Sequence, residues 1–172
     1  MKKYAILSIA IFALAIGAGC VLSSGTFILT YEVEGFGPIV GNMQRAHVDL
    51  TTEKDFDKHK DKIESIDAVS IMGDIVTDFG HIDSVEIWIS DQSYDDPNSV
   101  RANGNSIFVS PGFDASHSLH IEYADGLRYV RNLDILKSKI ENGGSFYLYG
   151  IPNGSGFLTY RLGIIVTMTA GL

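Results

Sequence analysis

Asp91, Asp95 and Asp96 crowd one short stretch just ahead of Pro97. Carboxylate oxygens are hard ligands, and a Ca²⁺ ion takes roughly six to eight oxygens. The spacing is not that of an EF-hand loop, which alternates its ligands and needs Gly at the sixth place. An Asp- and Asn-rich exposed turn accounts for the same residues, so Ca²⁺ is an option rather than a requirement. Trp88, Tyr147 and Tyr149 are a second group. Alternation sets them opposite the apolar residues of their segments, where three rings form a platform for a sugar or an apolar ligand. Cross-strand packing is the other reading, since Trp and Tyr favour sheets. The five histidines, His47, His59, His81, His117 and His120, make no helical His-x-x-x-His pair and no His/Cys set. Gly154-Ser155-Gly156 lacks the Gly-x-Ser-x-Gly elbow of a nucleophile. No glycine-rich loop follows a strand and opens a helix, so no phosphate cradle is expected. The motifs point away from an enzyme.

Cys20 is the sole cysteine, and a lone thiol closes no disulfide within the chain. It ends the uncharged, apolar stretch Tyr4 to Gly19, which comes after Lys2 and Lys3. A basic start, an apolar run and small residues before a cut point make an export signal. Ile16-Gly17-Ala18-Gly19-Cys20 resembles the lipobox of bacterial lipoproteins, with small residues at Ala18 and Gly19 and Ile16 as the aliphatic member. That resemblance implies removal of residues 1–19, acylation of Cys20 (a palmitate-type modification) and a place on a cell membrane or outer membrane, facing periplasm or exterior. The same resemblance implies that Val21, a residue other than Asp after the Cys, is compatible with transfer to an outer membrane, if there is one. A plain cleaved secretory signal and a retained span are the other fates of this stretch, which approaches the ~20 apolar residues a span needs.

Beyond the signal lie about 150 residues, one domain by length, large enough to hold a core without staples. The whole chain has 13 Lys and Arg against 21 Asp and Glu. An acidic surface lacks the basic footprint of nucleic-acid binding and the polybasic contact with anionic lipid.

The elements that must position these residues are mostly strands. Phe27, Leu29, Tyr31 and Val33 alternate with Thr26, Thr30, Glu32 and Glu34, with Ile28 breaking the pattern. Ala46, Val48 and Leu50 form a second set. Val69, Ile71 and Ile75 form a third; Val85, Ile87 and Ile89 form a fourth, opposite Glu86 and Trp88. Short strands are expected at Ile107 to Val109 and at Leu119, Ile121 and Tyr123. Phe146 and Leu148 alternate with Tyr147 and Tyr149. Leu158, Tyr160, Leu162, Ile164, Val166 and Met168 share the face of a last strand. Pro152-Asn153-Gly154-Ser155-Gly156 lies between two strand signals and predicts the turn of a hairpin from Tyr147 to Ile165. Asp95-Asp96-Pro97-Asn98 and Asn103-Gly104-Asn105 predict further turns. Two short helices are expected. One starts after Thr52, with Asp55 in a shortened capping box, and buries Phe56 and Ile63. The other spans Leu133 to Glu141, capped by Asn132 and stopped by Asn142-Gly143-Gly144.

These signals predict an all-β antiparallel sandwich with two short accessory helices, preceded by an N-terminal hydrophobic signal or anchor helix. Residues 1–19 are the signal, 20–25 the lipid-anchored tether and 26–172 the domain. The expected role is a membrane-anchored envelope lipoprotein acting as a non-catalytic binding or structural module. Its partners are the membrane, through the lipid, and an envelope protein or glycan. A glycan- or lipid-binding sandwich using Trp88, Tyr147 and Tyr149, with or without Ca²⁺, is the alternative. A subunit of a surface fibre or coat is the third reading.

Overall fold

The computed structural model describes residues 24–39, 43–52, 56, 60–114, 118–142 and 145–171. The apolar N-terminal stretch, Cys20 and most of the expected helix after Thr52, including Asp55, lie outside them. No helix among the described residues is long and apolar enough to cross a membrane.

Two long strands organise an all-β fold. β1 (Ser24–Pro38), β2 (Gln44–Asp49) and β3 (Ile63–Ser90) precede α1 (Pro97–Asn103). β4 (Asn105–Val109), β5 (Phe113–Asp114) and β6 (Leu119–Ile121) lead to α2 (Tyr123–Tyr129), α3 (Leu133–Glu141) and β7 (Ser145–Gly171). β3 has 28 residues and β7 has 27, against about five or six for an ordinary strand. They pair antiparallel from Ile63↔Ala170 to Ser90↔Tyr147. On the far edge of β7, β1 pairs with Phe157 to Gly171 and β2 with Ser145 to Gly150. On the far edge of β3 lie β4, β5 and β6.

The predicted alternation places the core. Val69, Ile71, Ile75, Val85, Ile87 and Ile89 of β3 are buried, as are Phe146, Leu148, Leu158, Leu162, Ile164, Val166 and Met168 of β7. Residues from both halves of the ribbon belong to one core cluster. The single sheet therefore folds on itself and faces itself across that core, in the manner of a sandwich.

The bend corrects the predicted hairpin. Pro152 to Gly156 does not reverse the chain; it continues β7 in register with β3, with Gly156 opposite Gly80. Pairing slips by a residue at Thr77/Phe79 and at Ile82/Ser84, bulges that turn a ribbon. Gly156 has φ 115°, and a Cβ there would stand 1.9 Å from the carbonyl oxygen of Phe79. The buried Thr77 hydroxyl lies 2.8 Å from the carbonyl oxygens of Phe79 and Phe157, fastening the corner from inside. Pro152 falls between Gly150, the last partner of β2, and Phe157, the first partner of β1. A residue without an N–H costs least in such a gap. The third and fourth apolar sets likewise belong to one strand, β3, rather than two.

Among the described residues, three short helices with full bounds lie against this sheet. α3 has the predicted bounds and buries Leu136 and Ile140. Asn132 precedes it with φ 49°, but its side chain does not cap; Nδ2 donates to the Ser106 carbonyl at 2.8 Å. α1 replaces the turn expected at Asp95 to Asn98. Asp96 caps it by accepting from the Ser99 amide at 2.9 Å, with Pro97 in the first turn. Its seven residues bury only Val100, too short a stripe for periodicity to register. α2 begins at Tyr123, where the sequence pattern predicts more strand. Gly126 lets its backbone touch β3, since a Cβ there would meet the Ile71 carbonyl oxygen at 2.0 Å. The Ser70 hydroxyl donates to the Tyr123 carbonyl at 2.7 Å. Around Thr52, the described residues form 3-10 turns at Leu50–Thr52 and Lys60–Lys62, and between them Phe56 is helical, as expected, and buried in the core. Ile63 opens β3 instead of closing a helix.

Candidate functional site

Where β1 ends its pairing at Pro38 and β2 begins at Gln44, both on the same edge of β7, the described residues leave a cleft into the core. The cleft has a volume near 140 Å³. Its floor is apolar: Val85 and Ile87 from β3, and Leu148, Leu158, Leu162 and Ile164 from β7. Ala46 and Phe36 form its sides, with Glu34, Arg45 and Tyr160 as polar members. Tyr160 sits directly across from Gly35, and its ring occupies the space a side chain at 35 would need. The ring is half-buried, and burial pushes its phenol pKa up. Arg45 is held from behind. Its Nη1 donates to Ser93 Oγ at 2.6 Å, to the Tyr94 carbonyl at 3.1 Å and to Asp95 Oδ1 at 2.8 Å. A concave apolar floor with a few polar groups at its edge is the general form of a small-molecule site.

The three aromatic residues singled out in the sequence do come together, but under cover. Tyr149 is fully buried. Its hydroxyl donates to the Gln92 carbonyl at 2.9 Å and accepts from the Tyr94 amide at 2.8 Å. Tyr149, Val100 and Ile151 form a second small core, with Met43, Trp88, Tyr94 and Tyr147 packed around it. Tyr147 also stacks near His47, with ring centroids 4.9 Å apart. Trp88 is half-buried and donates Nε1–H to Glu86 Oε2 at 2.6 Å. These rings fasten α1 and its leading loop to the sheet; Tyr149 is closed off from any ligand, while Trp88 and Tyr147 stay partly exposed.

Glu86 is the hub of that cover. Arg101 of α1 donates to both of its oxygens, at 3.1 and 3.2 Å. Asn153 Nδ2 donates to Oε1 at 2.7 Å and to Ser84 Oγ at 3.0 Å. Arg101 also reaches Asn153 Oδ1 at 2.7 Å. Burial pushes the Glu86 pKa up, but donation from Arg101, Trp88 and Asn153 outweighs it and holds the carboxyl below its usual range.

The three aspartates do not converge. Asp91 pairs with Lys139 of α3, Asp95 with Arg45 of β2, and Asp96 caps α1. Donation from the Ser99 hydroxyl and amide lowers the Asp96 pKa. No group of three His, Cys, Asp or Glu side chains is placed to hold a metal among the described residues. The loop is tied to three separate elements instead. Tyr160, Arg45 and Glu34 carry no motif in the sequence. They read there as ordinary members of alternating strands, and only the parting of β1 from β2 makes them neighbours.

No family model and no curated protein matches this chain. Among solved structures it is similar to a chain of Desmodium yellow mottle tymovirus, at 9% identity and TM-score 0.36 over 87% of this chain and 89% of that one. A chain of turnip yellow mosaic virus gives 14% identity and TM-score 0.37 over 87% and 96%. A decameric BFDV capsid protein gives 13% and 0.36 over 86% and 99%. Likenesses of this order carry no argument about function.

Proposed function

We propose that this chain is an exported β-module, held to a membrane by a lipid on Cys20, that works by binding an apolar group rather than by catalysis. The observation that carries binding is the cleft between β1 and β2. Its floor of Val, Ile and Leu has nothing to offer the many hydroxyls of a sugar, which need hydrogen-bond partners when buried. A short alkyl group or a single ring loses nothing there and gains burial, about 25 cal/mol per Å² of apolar surface. A cavity of about 150 Å³ lined by such side chains takes a benzene-sized guest, which is the scale of this one.

The anchor gives the cleft a setting. β1 begins at Ser24, four residues after Cys20. A chain spans at most about 3.6 Å per residue, so an acylated Cys20 keeps the start of β1 within roughly 15 Å of the lipid. A module on so short a tether meets apolar molecules that leave a bilayer.

Two measurements test the reading. Intact mass of the chain from the membrane fraction should begin at an acylated Cys20; an unprocessed chain overturns the lipid anchor. Photolysis with a small aryl diazirine should label peptides containing residues 34–37, 44–46 and 158–164. Ala46→Phe, which fills the cleft from β2, should abolish that labelling. Labelling that is indifferent to Ala46→Phe overturns the cleft as the site.

A further inference from the structure

We propose that this chain pairs with a second copy of itself, edge to edge through β1. β1 runs for 15 residues and, among the described residues, pairs only with β7. The described residues leave its other edge with a row of N–H and C=O groups that can template another strand.

What selects a second copy is the pattern along the outward face of that edge. Ile28 is 68% exposed and Phe36 is 74% exposed. Thr26, Thr30, Glu32 and Glu34, the other outward positions, are exposed and polar. The two apolar side chains stand at equal distances in sequence on either side of Glu32. An antiparallel pairing of two β1 strands about a two-fold axis at Glu32 sets Phe36 of each copy opposite Ile28 of the other. That is the self-complementary arrangement a two-fold interface requires. Other registers lose it. An axis at Tyr31 sets Ile28 against Glu34 and Phe36 against Thr26. An axis at Val33 sets Glu32 against Glu34 and Phe36 against Thr30.

The chosen axis brings two Glu32 carboxylates together, and like charges directly opposite are destabilising. Arg161 provides the counter-charge. It lies on β7, one strand in from the edge, with its guanidinium 3.7 Å from Glu32 and both side chains exposed. Two Arg161 then flank two Glu32 and balance the centre. The chain as a whole is acidic, with 21 Asp and Glu against 13 Lys and Arg. Association should therefore strengthen as added salt screens long-range repulsion.

The test uses the full-length chain in detergent micelles. Under mild oxidation Glu32→Cys should form a disulfide-linked dimer, because it lies on the axis. Thr30→Cys should not, because it faces Glu34 of the second copy. The expected yield ratio is about tenfold, set by local concentration at the axis, with the unaltered chain as background. Equal yields from both variants, or none above background from Glu32→Cys, overturn the proposal. Sedimentation checks it without new cysteines. The unaltered chain should sediment as a dimer and Ile28→Asp as a monomer. Arg161→Glu should also be monomeric, and Glu32→Arg with Arg161→Glu should restore the dimer. An unaltered chain that stays monomeric at the highest attainable concentration overturns the proposal, whatever other partner the edge takes.

Discussion

The two ends of the β3–β7 ribbon share one alternating pattern, yet their outer faces differ. At one end, Trp88, Tyr147, Tyr149 and Ile151 lie beneath α1 and its leading loop, pinned through Glu86, Arg101 and Asn153. At the other, past the corner, Met72, Val76 and Phe79 of β3 are exposed, along with Phe36 and Ile28 of β1. Phe36 lies against Phe157 of β7, which pairs with Phe79, and the Phe36 and Phe157 ring centroids are 6.3 Å apart; Ile28 stands apart, further along β1. The same outward apolar positions are covered by the chain itself at one end and left open at the other. Contiguous apolar exposure on a folded chain marks contact surfaces. The covered end accounts for the fastening of the loop; the open end carries the edge through which we propose pairing with a second copy.

The harshest way to break this comparison is to break the corner that joins the two ends. Gly156→Val puts a β-branched residue at φ 115° with its Cβ against the Phe79 carbonyl oxygen. The backbone must give way, at a cost of about 5 kcal/mol, in the range where few substitutions fall. Urea unfolding should show both ends failing in one transition. An unfolding midpoint near that of the parent would mean that the corner carries no strain.

Next come paired substitutions, one at each end. Tyr149→Ala removes a fully buried ring and strands the Tyr94 amide it receives. It should cost about 3–4 kcal/mol. Phe79→Ser, at a side chain 62% exposed, should change stability by less than about 0.5 kcal/mol. Equal losses from the two would erase the distinction between covered and open faces.

Much of the ribbon was legible in the sequence, because alternation reports burial directly. Leu158 to Met168 face the core as expected, with Tyr160 half-buried, and α3 has its predicted bounds. The failures share a cause. Pro152 to Gly156 has the composition of a turn, and glycine with positive φ serves a chain reversal or a bulged corner equally well. Only its partner decides, and Gly80 is far away in sequence. Tyr123 fits the alternation of β6 but is captured by a helix, because Gly126 can lie flat on Ile71. The cleft was not legible for the same reason: it is the gap between two strands that share an edge of β7. Cys20 and the signal before it lie outside the described residues, so their reading still rests on the sequence.

A smaller effect separates the two ends by pH. Glu86 belongs to the covered end, and its carboxyl is held below the usual range in the folded state. A depressed folded pKa contributes stability above the unfolded value of about 4.3, lost as pH falls through the folded pKa. Glu86→Gln keeps the shape but not the charge facing Arg101. It should cost about 1–2 kcal/mol at neutral pH and flatten the loss of stability in acid. A variant as acid-sensitive as the parent would show that other carboxylates govern that limb.

The smallest effect belongs to the open end and has the opposite sign. His120 of β6 lies across from Asp74 of β3, with Nδ1 and Oδ1 2.7 Å apart and both side chains exposed. Hydrogen bonding to Asp74, then its charge, raises the His120 pKa. A raised folded pKa contributes stability below the unfolded value of about 6.5, lost as pH rises through the folded pKa. Solvent screens this pair, so the effect is best read at the residue itself. An NMR titration of the His120 ring should give a midpoint above that of a free histidine, and Asp74→Asn should bring it back down. The two ends then respond to opposite limbs of the pH scale. The covered end weakens in acid through Glu86, and the hold of β6 on the open half slackens in base through His120. A His120 midpoint unmoved by Asp74→Asn would assign the shift to Glu122 and Asp125, the other acidic neighbours that raise it, and detach it from the pairing of β6 with β3.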